Sequence, residues 1–216
     1  AFLSTAPKIA AMALFAAMVL DAADGRVARL TRTESAFGAQ YDSLSDMVAF
    51  GVAPALLVFA WSLQSLGQVG WVATFIYMAC AALRLARFNM QDDHAVFVGL
   101  ASPAAAALLA GLVWTFTENA PQSQGPDGLG AVALAIYTAV VGLLMVSPLR
   151  YWSPKTIRLA GRVPFFTLVA IVLAYAGVML DPPRMLLGGV LIYAASGPVM
   201  FFLQRARRAR VAAEKK

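Results

Sequence analysis

The sequence predicts an all-α polytopic membrane protein, a helical bundle of about seven transmembrane spans. Three observations lead there. Mean hydropathy is +0.73 and hydrophobic residues make up 61% of the chain, against the roughly half that is usual for a soluble domain. Apolar stretches near the ~20 residues that a bilayer requires recur from one end to the other. The basic residues fall almost entirely on one side of those stretches.

Taken in order, the expected spans are 5–24, 47–66, 70–88, 100–118, 130–147, 164–180 and 185–203. The first lacks a basic n-region and runs straight into an acidic motif, so it is not a secretory signal. The third carries Cys80 at its middle; as the single cysteine it forms no intrachain disulfide and reads as a small core residue. No soluble unit of useful size remains between spans. Residues 1–203 are therefore expected to be one transmembrane domain, and 204–216 a basic cytoplasmic tail. The tail run Arg205-Ala-Arg-Arg-Ala-Arg210 suits anionic headgroups.

Charge sets the orientation. Of the 17 Lys and Arg, only Lys8 and Arg184 lie on one side under this assignment. The rich side is cytoplasmic by the positive-inside rule. The loop Glu118–Gly130 is acidic, rich in Gly and Pro, and opposite. The net charge of +6 is thus a topology signature, and nucleic-acid binding is not expected, because the basic residues flank spans. Trp61, Trp71, Trp114 and Trp152 fall near expected span ends, as an aromatic belt would. His94, the only histidine, reads as a solvated loop residue.

The chemistry is concentrated at the cytoplasmic end of the first two spans. Asp21-Ala-Ala-Asp24-Gly25-Arg-Val-Ala28-Arg29 is followed, eight residues on, by Gly38-Ala-Gln-Tyr-Asp42-Ser-Leu-Ser-Asp46. Carboxylates at the edge of so apolar a protein must be paired, protonated or metal-bound. Asp21, Asp24, Gly25 and Ala28 share one helical face, and Asp42 and Asp46 are one turn apart on a second helix. Two helices offering stacked carboxylates form a cage that suits hard divalent cations and suits zinc poorly. Gly25 and Ala28 leave the face without bulk, so that a planar group can approach the backbone. Arg29 offers a planar fork of donors matched to phosphate.

This pattern, D-x2-D-G-x2-A-R-x8-G-x3-D-x3-D, resembles the signature of the CDP-alcohol phosphatidyltransferase family at every fixed position. Arg84-Leu-Ala-Arg87-Phe-Asn89, the run Phe97-Val-Gly99-Leu-Ala-Ser102-Pro103, and Met145-Val-Ser147-Pro-Leu-Arg150-Tyr151-Trp-Ser153-Pro-Lys155 are similar to its phosphatidylserine synthase branch. One departure stands out: the family usually has Gly-Leu-Pro before Ser-Pro, where this chain has Gly99-Leu-Ala101.

The resemblance implies transfer of the phosphatidyl group from CDP-diacylglycerol to L-serine, with release of CMP. It implies two divalent cations, Mg2+ or Mn2+, on Asp21, Asp24, Asp42 and Asp46. Asp46 is then the general base for in-line displacement. Gly25, Ala28, Arg29 and Ser35 are expected at the CDP-diacylglycerol, and Arg84, Arg87 and Asn89 at the serine pocket. A homodimer among membrane lipids, in the bacterial inner membrane with its active site facing the cytoplasm, is likewise expected, as is one more membrane helix before residue 1. A sister transferase acting on glycerol phosphate, inositol or choline would keep the aspartates and change the acceptor pocket. An ion-binding membrane transporter would place its acids near the bilayer midplane instead.

Overall fold

The computed structural model describes residues 2–31, 35–90, 98–119, 125–149, 151 and 175–214. Among these the regular structure is helical: α1 (Phe2–Thr31), α2 (Ala36–Asp46), α3 (Ala53–Trp61), α4 (Gln68–Asn89), α5 (Ser102–Asn119), α6 (Leu129–Val146), α7 (residues 175–180) and α8 (Pro182–Glu214). A π-helical turn, Met47–Val52, joins α2 to α3, and a 3-10 turn, Leu63–Leu66, follows α3. Among the described residues five helices are long and apolar enough to cross a membrane: Ala6–Val27, Phe37–Trp61, Gln68–Asn89, Leu129–Val146 and Pro182–Phe201. The chain is an all-α polytopic membrane protein.

The helices differ from the expected spans in instructive ways. The second begins about a decade earlier than 47–66, because α2, the π turn and α3 form one continuous rod. Asp42 and Asp46 therefore lie within that rod. The expected span 100–118 exists as α5 but is not among the five by hydropathy. Its ends carry Ser102, Thr115, Thr117 and Glu118, and its centre is shielded by neighbours. Ala105 through Ala110 are all buried, with α1, α3, α6 and α8 packed around. Small residues let those neighbours come close. At about 1.5 Å per residue its 18 residues reach roughly 27 Å, the same length as α6. The span expected at 164–180 lies outside the described residues except for α7. The helix of the last span runs on without a break to Glu214, through most of the basic tail.

Polar contacts mark the two ends of the bundle. At one end Lys8 pairs with Glu118 at 2.8 Å, Ser62 Oγ donates to the Pro126 carbonyl at 2.6 Å, and Arg184 pairs with Asp181 at 2.9 Å. Lys8 and Arg184 are the two cations expected on the non-cytoplasmic side. At the other end lie the aspartates, the end of α4 and the start of α5. There Gly99 N–H donates to the Leu149 carbonyl at 2.8 Å and Leu100 N–H to that of Leu144 at 3.0 Å, interlocking two loops. Gly99 has φ +87°, and a Cβ there would meet the Met145 carbonyl oxygen at 2.1 Å, so this joint requires glycine.

The π turn has a specific cause. Pro54, near the start of α3, has no N–H to give the carbonyl of Phe50 four residues earlier. The fully buried Tyr77 of α4 supplies the missing donor, its hydroxyl reaching the Phe50 carbonyl at 3.0 Å. Directly opposite, α6 approaches α4 so closely that a Cβ on Gly142 would lie 2.9 Å from the Tyr77 Cα. The rod that carries Asp46 is thus held by α4, which α6 holds in turn. Cys80 is buried and free, as expected. Trp61 falls at the end of the second apolar helix, as expected, but is 6% exposed and packs on the exposed Phe116. Trp71 is exposed and Trp114 packs on Phe15; Trp152 and His94 lie outside the described residues.

Candidate active site

Helix α1 brings Asp21 against the face of α2 on which Asp42 and Asp46 stack one turn apart. Each of the three offers a carboxylate oxygen within 4.8 Å of the other two. Asp42 is exposed, while Asp21 and Asp46 are half-buried. Asp46 lies against Asp21 and within the field of Asp42, and its Oδ1 is buried with no hydrogen-bond partner among the described residues. Three like charges so close, with one oxygen both desolvated and unpartnered, call for a cation or shared protons. A hard divalent ion fits this donor set, which is oxygen throughout and retains a buried oxygen with unspent lone pairs. Asp24, further along α1, is exposed and stands outside the three-carboxylate group, though its charge reaches Asp21.

Beside the carboxylates lies the end of α4. Arg84 is half-buried, with its Nη1 donating to Ser102 Oγ at the start of α5. It sits within the electrostatic reach of Asp46, and its Nε has no partner among the described residues. Asn89 donates from Nδ2 to Ser43 Oγ at 3.0 Å. Ser43 lies between Asp42 and Asp46, so this bond docks the end of α4 onto the carboxylate helix. Arg87 is exposed. Of the three expected acceptor residues, two therefore flank the carboxylates and the third faces outward.

Comparison with known proteins now bears on this geometry. The family model described as CDP-alcohol phosphatidyltransferase matches residues 1–197. The chain belongs to the CDP-alcohol phosphatidyltransferase family. It is 35% identical over 182 residues to a CDP-diacylglycerol–serine O-phosphatidyltransferase of Helicobacter pylori, covering 82% of this chain and 74% of the relative. It is 34% identical over 189 residues to the protein of the same name from Methanocaldococcus jannaschii, covering 87% and 82%. It is 46% identical over 115 residues to that of Mycobacterium bovis, covering 50% and 40%.

The remaining residues of the family signature fall as follows. Gly25 is half-buried on α1. Ala28 and Arg29 continue the same helix, and their side chains lie outside those described. Ser35 caps α2, its Oγ accepting from the Gly38 N–H at 3.0 Å, which gives it a local role in starting the carboxylate helix. The sequence motifs did not single out Ser43 and Ser102 as site neighbours. Ser43 and Ser102 had a signal, since each is a hydroxyl beside a singled-out motif residue.

Proposed function

We propose that this member of the family is a phosphatidylserine synthase, transferring the phosphatidyl group of CDP-diacylglycerol to L-serine and releasing CMP. The observation that carries the reading is the cluster of Asp21, Asp42 and Asp46 with its buried, unpartnered Asp46 Oδ1, beside a half-buried arginine. The names of the relatives support serine as acceptor.

In the proposed reaction the serine hydroxyl oxygen attacks the lipid-side phosphorus of the diphosphate. The bond from that phosphorus to the bridging oxygen breaks, and CMP leaves with the electron pair. The serine hydroxyl proton passes to the Asp46 carboxylate, whose Oδ1 is buried without a hydrogen-bond partner among the described residues. The step is a direct in-line displacement without a covalent enzyme intermediate. Asp21 and Asp42, with Asp24 flanking, would hold divalent cations, Mg2+ or Mn2+ and two in number. Such ions would neutralise the diphosphate and orient its oxygens. Arg29 faces the diphosphate with its planar fork, Gly25 and Ala28 leave room for cytidine, and Ser35 lies near the nucleotide. Arg84, Arg87 and Asn89 belong to the acceptor side.

Support for a cytoplasmic active site comes from Lys8 and Arg184 lying at the end of the bundle away from the aspartates. The resemblance supports a homodimer in the bacterial inner membrane, with residues 1–203 as one domain. The transporter alternative is disfavoured because Asp21 and Asp24 sit at the end of α1 that carries Arg26 and Arg29. The test is to supply labelled CDP-diacylglycerol with serine, glycerol phosphate, inositol or choline. We expect label in phosphatidylserine alone. Label in the product of another acceptor would overturn the assignment of serine.

A further inference from the structure

The π turn Met47–Val52 follows Asp46 directly, so it sets how the carboxylate helix is rotated about the axis of the rod. In α3 the buried residues are Pro54, Ala55, Leu57, Val58 and Trp61. At about 100° per residue, an unbroken α-helix would set the middle of that face roughly 100° round the axis from Asp42 and Asp46. The carboxylates would then turn away from the side on which the rod packs. A π turn takes up one residue beyond the α-helical count, and one residue is worth about 100°. The two angles cancel, and the carboxylate face comes into line with the buried face of α3. The outer surface of the rod shows the same correction. Phe37, Tyr41 and Leu44 of α2 and Leu56 of α3 are all exposed. Leu56 falls in line with the other three only when the extra residue is counted.

Helix α4 grips the turn at two points. The Tyr77 hydroxyl donates to the Phe50 carbonyl at 3.0 Å. One helical turn further along α4, Ala81 packs on Gly51, where an added Cβ would lie 3.2 Å from the Ala81 Cβ. Tyr77 and Phe50 are both fully buried, so this bond is made where water offers no substitute. We propose that the π turn, held by Tyr77, is the phasing device that brings Asp42 and Asp46 round to Asp21. Tyr77 is then a positioning residue for the cation site, acting through the turn. This rests on the reading of Asp21, Asp42 and Asp46 as the cation site of the transfer reaction, and adds to it the element that aligns its two halves.

The test changes the length of the turn in the full chain. One variant has an alanine inserted after Val48; another has Val48, which is exposed, deleted. Two readouts are taken on each. Mn2+ affinity is measured by electron paramagnetic resonance. In a second set carrying Ser43→Cys and Asn89→Cys, cross-linking by a short bifunctional thiol reagent reports the rotation of α2 without any metal. Asn89 Nδ2 and Ser43 Oγ lie 3.0 Å apart, so the unaltered turn should give the cross-link. The insertion turns the carboxylates by about a further 100° and should lose both Mn2+ binding and the cross-link. The deletion lets the turn close as an ordinary α-helix with the phase unchanged, and should keep both. Any other pattern in the two length variants overturns the phasing role. Tyr77→Phe keeps the ring and removes the donor, and should weaken Mn2+ binding about 5-fold, the equivalent of one ordinary hydrogen bond. Wild-type affinity in Tyr77→Phe takes Tyr77 out of that role. An unaltered chain that binds no Mn2+ overturns the cation-site reading instead, and the cross-links still decide the phase.

Discussion

At the scale of single residues, Asp46 and Asp21 are assigned different work although both are half-buried carboxylates in one cluster. Asp46 has the unpartnered buried oxygen, whereas Asp21 lies between Asp46, Asp42 and the charge of Asp24. Asp46→Asn keeps the volume and one oxygen while removing the proton acceptor. We expect it to retain CDP-diacylglycerol binding and lose turnover by ~10²–10⁴-fold. Asp21→Asn should weaken metal binding and recover in part at high metal concentration. Metal titration of turnover in both variants separates them, and rescue of Asp46→Asn alone reverses the assignment. Arg29→Lys keeps the charge but not the fork, so transfer should fall strongly; normal activity would remove Arg29 from the diphosphate. The aspartates were legible in the sequence because fixed spacing on a helix dictates which side chains share a face. That Asp24 stands apart from the other three was not legible, since the approach of α1 to α2 depends on tertiary packing.

At the scale of elements, the rod of α2, π turn and α3 shows where sequence reasoning stops. Hydrophobicity placed the second span from 47 because Gln40, Asp42, Ser43 and Asp46 dilute the preceding residues, yet the helix starts at the Ser35 cap. Within the π turn the Phe50 carbonyl accepts from Tyr77 of another helix, and no local pattern reports that donor. Conversely, α5 was read correctly as a helix, but its burial comes from four neighbours rather than from its own hydropathy. Tyr77→Phe should leave the Phe50 carbonyl buried and unsatisfied, costing about 1–3 kcal/mol. Thermal unfolding in detergent measures this, and a transition temperature equal to wild type would show that the hydroxyl does not support the turn. Gly142→Leu should destabilise more, because its side chain meets the backbone of Tyr77.

At the scale of the whole molecule, composition and charge gave the class, and the packing of α1 on α2 brings three of the aspartates together. The ion pair of Lys8 with Glu118 and the contact of Arg84 with Ser102 hold opposite ends of the bundle, so α5 ties one end to the other. Single cysteines replacing Ser65 or Gln68 should react with a membrane-impermeant thiol reagent from outside intact cells. A cysteine at Ser35 should react only in inverted vesicles. Labelling of Ser35→Cys from outside would reverse the orientation.

The central claim is that α1 and α2 together build a divalent-cation site on which transfer depends. Binding of Mn2+ to the purified protein, followed by electron paramagnetic resonance in parallel with transfer from CDP-diacylglycerol, tests it most directly. Wild type should bind Mn2+ and lose activity in chelator. Asp21→Asn, on one helix, and Asp42→Asn, on the other, should each lose Mn2+ affinity and activity together. Full transfer in chelator, or undiminished Mn2+ binding in both variants, would contradict it.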